Sequence, residues 1–164
     1  MTDVKIFIES TWKGPARRDG VAMWLIEYIK ANGEPATREG FVHLEDGTEA
    51  AGCLMALVNA FCKLKKPCSA LVFTGCEHII NTYNNHWHIQ WQKNGWRNAK
   101  GKEVKNADLW ELLIKKADPH VYTVRGGRHE YQQVMLDGLT KEMQRWDKER
   151  KDGKEHHTGT YRPV

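Results

Sequence analysis

The sequence predicts a mixed α/β fold, with a single sheet carrying helices on its faces. Three observations lead there. Residues 4–44 hold three strand-like apolar runs separated by turn signals. From Thr48 the apolar spacing changes to threes and fours, the period of a helix. Beyond that point strand-like and helical stretches alternate, giving the order three strands, helix, strand, helices, strand, helix.

Each element has its own local signal. "VKIFI" (4–8) is a buried strand, and "GVAMWLIEYI" (20–29) and "REGFVHL" (38–44) are a second and a third. "ANGEP" (31–35) joins the latter two as a hairpin through its Asn-Gly and Pro. Ala50, Leu54, Leu57, Val58, Phe61 and Leu64 form one helix face. Asp46 or Thr48 caps it; Lys63, Lys65 and Lys66 suit its C-terminal dipole, and Pro67 stops it. "SALVFT" (69–74) is a short buried strand, residues 77–91 suit a single helix, and Asn106 is placed to cap another over 107–116. "HVYTV" (120–124) alternates as a strand, and "RGGR" (125–128) is a loop. Tyr131, Val134, Met135, Leu139, Met143 and Trp146 mark a last helix. Residues 1–146 are thus expected as one domain, and 147–164 as a charged, flexible tail.

Composition narrows the function classes. Hydrophobic residues make up 40% of the 164, enough for a globular core and against disorder. No apolar run reaches membrane-spanning length and "MTDVKIFIES" is strand-like, so a cytoplasmic protein with no membrane partner is expected. Cys53, Cys62, Cys68 and Cys76 form no CxxC zinc pattern and are expected as free thiols. The net charge of +4 permits nucleic-acid binding without demanding it. The densest signal is residues 86–110, where Trp87, Trp91, Trp96 and Trp110 interleave with Lys93, Arg97, Lys100, Lys102 and Lys105. Cations meet phosphates and aromatic faces pack on sugars or bases. The alternative is a set of core tryptophans beside a solvated charged loop.

"NGW" followed by "K-x-V-K-N-A-D-L-W" closely resembles the basic helix-loop-helix protrusion of type 1 ribonuclease H, which cuts RNA in RNA/DNA hybrids. "KIFIES", the hairpin, "DGTEAAGCLMAL", "LVFTGC" and "VRGG" before a last helix fit in order, so the resemblance covers about residues 4–145. It implies a five-stranded mixed sheet flanked by helices, and nucleic-acid contacts from Lys93, Trp96, Arg97, Lys100, Lys102 and Lys105, with Thr48 in the loop before the first helix. The family places four acidic side chains around two magnesium ions that hold the scissile phosphate. Carried across, those four positions are Glu9, Cys53, Gly75 and Asp137. Two acids remain and two are lost, and the family's loop histidine falls on Gly127, with His129 two residues on.

The expectation is therefore a catalytically inactive domain that binds RNA/DNA hybrid or other duplex nucleic acid, with no cofactor. Glu49, on the helix face of Cys53, and Glu77 are possible replacements for the missing acids, and His129 for the histidine. With them, a weakly active Mg²⁺- or Mn²⁺-dependent hybrid endonuclease is the alternative. A softer metal on Cys53 or Cys76 with Glu9, Asp137 and His129 is another. The third is a scaffold for an unknown protein partner, since Glu49 and Ala50 stand where the family has asparagines.

Overall fold

The structure is a computed structural model that describes residues 1–153. Its strands are β1 (Thr2–Ser10), β2 (Arg18–Ile29), β3 (Pro35–Gly47), β4 (Cys68–Thr74) and β5 (Val121–Arg125). Its helices are α1 (Glu49–Cys62), α2 (Glu77–Asn84), α3 (Trp87–Lys93), α4 (Ala107–Ala117) and α5 (Gln132–Lys151). The sheet order is β3-β2-β1-β4-β5. β1–β2 and β2–β3 are antiparallel, while β1–β4 and β4–β5 are parallel. This is the expected mixed five-stranded sheet.

Why β2 is apolar without alternation follows from its place. Ala22, Trp24 and Ile26 enter the core beneath α1 and α4, while Val21, Met23 and Leu25 face α5 on the opposite side. β1 divides likewise, with Val4, Ile6 and Ile8 toward α1 and Phe7 toward α5. The β2–β3 hairpin closes through Gly33, at φ +86°, whose N–H donates to the Lys30 carbonyl. Thr48 is the residue that caps α1: its Oγ1 accepts the Ala51 N–H at 3.2 Å.

Four local expectations need correcting. Residues 77–91 are two helices, because His86 takes a left-handed conformation (φ 57°) that ends the i→i−4 ladder. Asn106 stands at the N-cap of α4 but is left-handed and makes no side-chain cap. Val134 is 59% exposed; the core stripe of α5 is Met135, Leu139 and Trp146. The last helix also runs five residues past Trp146. Arg150 closes it, lying 3.9 Å from the Trp146 ring and bonding Asp19 of β2 (2.7 Å) and Asp147 (2.6 Å). The rest of the expected tail, 154–164, lies outside the described residues.

Candidate active site

β1 and β4 run parallel and end side by side, and α1 starts beside them. A cavity of about 280 Å³ opens there, lined by Glu9 and Ser10 of β1, Glu49 and Cys53 of α1, the Thr74–Cys76 turn, Trp12, Lys13 and Gln132, among others. The crevice at strand C-terminal ends is where open α/β sheets place ligands.

The turn after β4 is held by Thr74, whose Oγ1 accepts the Cys76 N–H at 3.1 Å. Gly75 has no left-handed φ, and a Cβ built on it meets nothing within 4 Å. Neither backbone nor packing demands glycine here; the position has room for a carboxylate and lacks one. Gly127, by contrast, has φ +98°, so a histidine at that position would be strained.

His129 does not hang in solvent. Its side chain is 2% exposed, with ring centroids 4.6 Å from Phe7 and 6.0 Å from Phe73. Nδ1 accepts the Tyr131 N–H (3.2 Å), which places the hydrogen on Nε2. Nε2 then donates to Glu9 Oε2 at 2.7 Å. One carboxylate oxygen of Glu9 is thus committed to an internal hydrogen bond.

Cys53 and Cys76 face each other at the cavity floor. The hydrogen bond from Cys53 holds the Cys76 thiol below its ordinary range, aided by the Ile79 and His78 amides that begin α2. The same bond, with burial, pushes Cys53 up; a contact from Ser10 acts the other way. Burial raises the Glu49 carboxyl, and the like charge of Glu77 adds to this, while Lys13 opposes it.

Glu9, Glu49, Cys53 and Gly75 are brought together, and His129 reaches Glu9 from the α5 side of the sheet. Asp137 does not line the cavity. It is exposed on α5, where Gln133 Nε2 donates to its Oδ1 (3.0 Å), and Gln132 reaches the cavity instead. Sequence reasoning passed over Gln132, and took Lys13 only as one cation of the basic first-loop stretch 13–18. The only signal for Ser10 was its place beside Glu9. Among the described residues no group of three or more His, Cys, Asp or Glu side chains is placed to hold a metal ion. The donors present do not fit two magnesium ions, which need several hard oxygen ligands.

The protrusion is a folded unit. Left-handed Gly95, Trp96 and Gly101 shape the loop between α3 and α4. The Val104 N–H donates to the Trp96 carbonyl (3.0 Å), and Asn98 Oδ1 accepts the Lys100 and Lys102 amides (2.9 and 3.1 Å). Lys93, Arg97, Lys100, Lys102 and Lys105 are exposed, and among the described residues none is ion-paired. The tryptophans divide: Trp110 is fully buried, Trp91 and Trp96 lean on the core, and Trp87 is 42% exposed.

The chain is 33% identical over 93 residues to "Ribonuclease H" of Caldicellulosiruptor saccharolyticus, covering 55% of this chain and 64% of that protein. It is 29% identical over 129 residues to "Ribonuclease H" of Clostridium botulinum, covering 77% and 85%. The match to the first of these spans less than two thirds of that protein's length. Among solved structures it superposes on LC9-RNase H1, a type 1 RNase H with the type 2 active-site motif. The TM-score is 0.65 at 20% identity, over 79% of this chain and 64% of that one. A foamy viral protease-reverse transcriptase in complex with RNA/DNA hybrid gives a TM-score of 0.56 at 13% identity, over 82% and 18%. At those identities the two structures speak for the fold alone. The RNase H family profile matches residues 32–145, more than half of the sequence, and the chain belongs to the RNase H family.

Proposed function

We propose that this RNase H domain binds RNA/DNA hybrid or other duplex nucleic acid without cleaving it by the two-metal route. The observation that carries this reading is the cavity's donor set. Glu9 is tied to His129, Cys53 and Gly75 bring no carboxylate, and Asp137 points elsewhere. The exposed cations from Lys93 to Lys105, without an ion-pair partner among the described residues, with Trp96 among them and Thr48 at the α1 cap, supply the phosphate-binding side. Loss of carboxylates also lowers repulsion of a polyanion. The names of the relatives favour a second reading more than this one: a hybrid endoribonuclease using Mg²⁺ or Mn²⁺, with Glu49 beside Glu9 making up part of the missing charge.

One experiment separates them. Labelled RNA/DNA hybrid is titrated at two salt concentrations, then incubated with Mg²⁺ or Mn²⁺. Salt-dependent binding with intact RNA supports the first reading. Metal-dependent cleavage abolished by Glu9→Gln establishes the second, and absence of binding at low salt removes both. In the first case Gly75→Asp combined with Cys53→Glu is expected to raise cleavage above background, since position 75 has room for the added side chain.

A further inference from the structure

We propose that Cys53 and Cys76 are a peroxide-reactive thiol pair that closes to an intramolecular disulfide. Two features carry the proposal. The thiols come from different elements, α1 and the start of α2, yet face each other in one cavity. They are 3% and 2% exposed, so their contact with solvent is through that cavity. Gly75, the residue next to Cys76, has no side chain and nothing within 4 Å of where one would stand. The space that an acidic side chain would occupy is therefore an open approach to the sulfurs. It admits a small oxidant such as hydrogen peroxide.

The chemistry balances. The Cys76 sulfur, which stands beside the open position at Gly75, attacks one peroxide oxygen. The O–O bond breaks and the departing hydroxide takes up the proton given up by the Cys76 thiol and leaves as water, giving a sulfenic acid on Cys76. The Cys53 sulfur then attacks the Cys76 sulfur, the S–O bond breaks, and the hydroxyl leaves as a second water with the Cys53 proton. Two thiols lose two electrons in all, and hydrogen peroxide is reduced to two waters. Cys53 is the resolving thiol, because it lies against the sulfur it must reach.

Cys62 and Cys68 are internal controls; Cys62 is half-buried, and the Cys68 thiol points to the Lys66 carbonyl. The test treats the full chain with stoichiometric hydrogen peroxide or with oxidised glutathione, followed by intact mass and peptide mapping. Expected with peroxide is a loss of about 2 Da, with Cys53 and Cys76 joined in one cross-linked peptide. Expected with glutathione disulfide is no adduct on either residue. In Cys53→Ser, Cys76 has no resolving partner and, with peroxide raised to two equivalents or more, proceeds to the sulfinic acid, a gain of about 32 Da. The proposal is overturned if Cys62 or Cys68 oxidises while the cavity pair stays reduced. It is equally overturned if both cavity thiols of the parent chain map as separate oxyacids.

Discussion

Replacing His129 by alanine distinguishes a buried tether from an ordinary loop histidine. The change removes the 2.7 Å hydrogen bond to Glu9, leaves the Tyr131 N–H without its acceptor and empties the space against Phe7 and Phe73. A hydrogen bond to a charged group contributes about 1.5–3 kcal/mol. Aromatic contacts of this kind add about 0.5–1.5 kcal/mol. Neighbouring contributions do not simply add, so the expected cost is about 3 kcal/mol. At about 2.1 cal/mol/K of unfolding entropy per residue, this lowers the Tm of a 164-residue chain by about 9 °C. Differential scanning calorimetry with urea denaturation measures both quantities. His129→Gln keeps a donor and is expected to lose about half as much. A cost under about 0.5 kcal/mol for His129→Ala, the range of exposed surface substitutions, refutes the tether.

Three further outcomes follow from other parts of the molecule. A Cβ on Gly52 would lie 2.4 Å from the buried Trp12 ring, so Gly52→Ala is expected to destabilise by about 1–2 kcal/mol in urea despite alanine's better helix propensity. If the protrusion binds phosphates, Lys102→Ala with Lys105→Ala flattens the slope of log K against log salt by about 2. An unchanged slope places the contact elsewhere. The Asp46 amide and Arg150 hold the Asp19 carboxyl below its usual range, and Arg145 and His43 do the same for Glu142. Carboxyls depressed in the fold stabilise it above their unfolded pKa, about 4, and that stability goes as pH falls through the folded values. Denaturation at pH 7, 5 and 3 should show a loss confined to the acid side, smaller in Glu142→Gln.

Much of the fold was legible because its signals are local. The hairpin turn, the Thr48 cap and the spacing of Leu54, Leu57 and Phe61 each sit within a few residues of what they specify. The break at His86 was harder, since a left-handed residue leaves the apolar period on either side nearly undisturbed. For the site, the resemblance located Glu9, Cys53 and Gly75 along the chain, and the structure gathers them around one cavity. It carried no information about His129 on Glu9, a contact between residues 120 positions apart. Nor could counting along α5 tell whether Gln132 or Asp137 faces the cavity. A helix turns 100° per residue, so direction depends on how the helix seats on β1 and β2.

The parallel pairing of β1 with β4 has a consequence for the order of folding. The β2–β3 hairpin brings near neighbours together and closes at small entropic cost, whereas Thr2 meets Cys68 only after the hairpin and α1 have been enclosed in a loop. The cavity lies at the far end of that ladder, where Ile8 pairs with Thr74. Glu9 is therefore expected to join Cys53 and Cys76 only once that long-range pairing completes. Completion of the cavity, rather than contact between its two thiols, is then the late event in folding of the sheet.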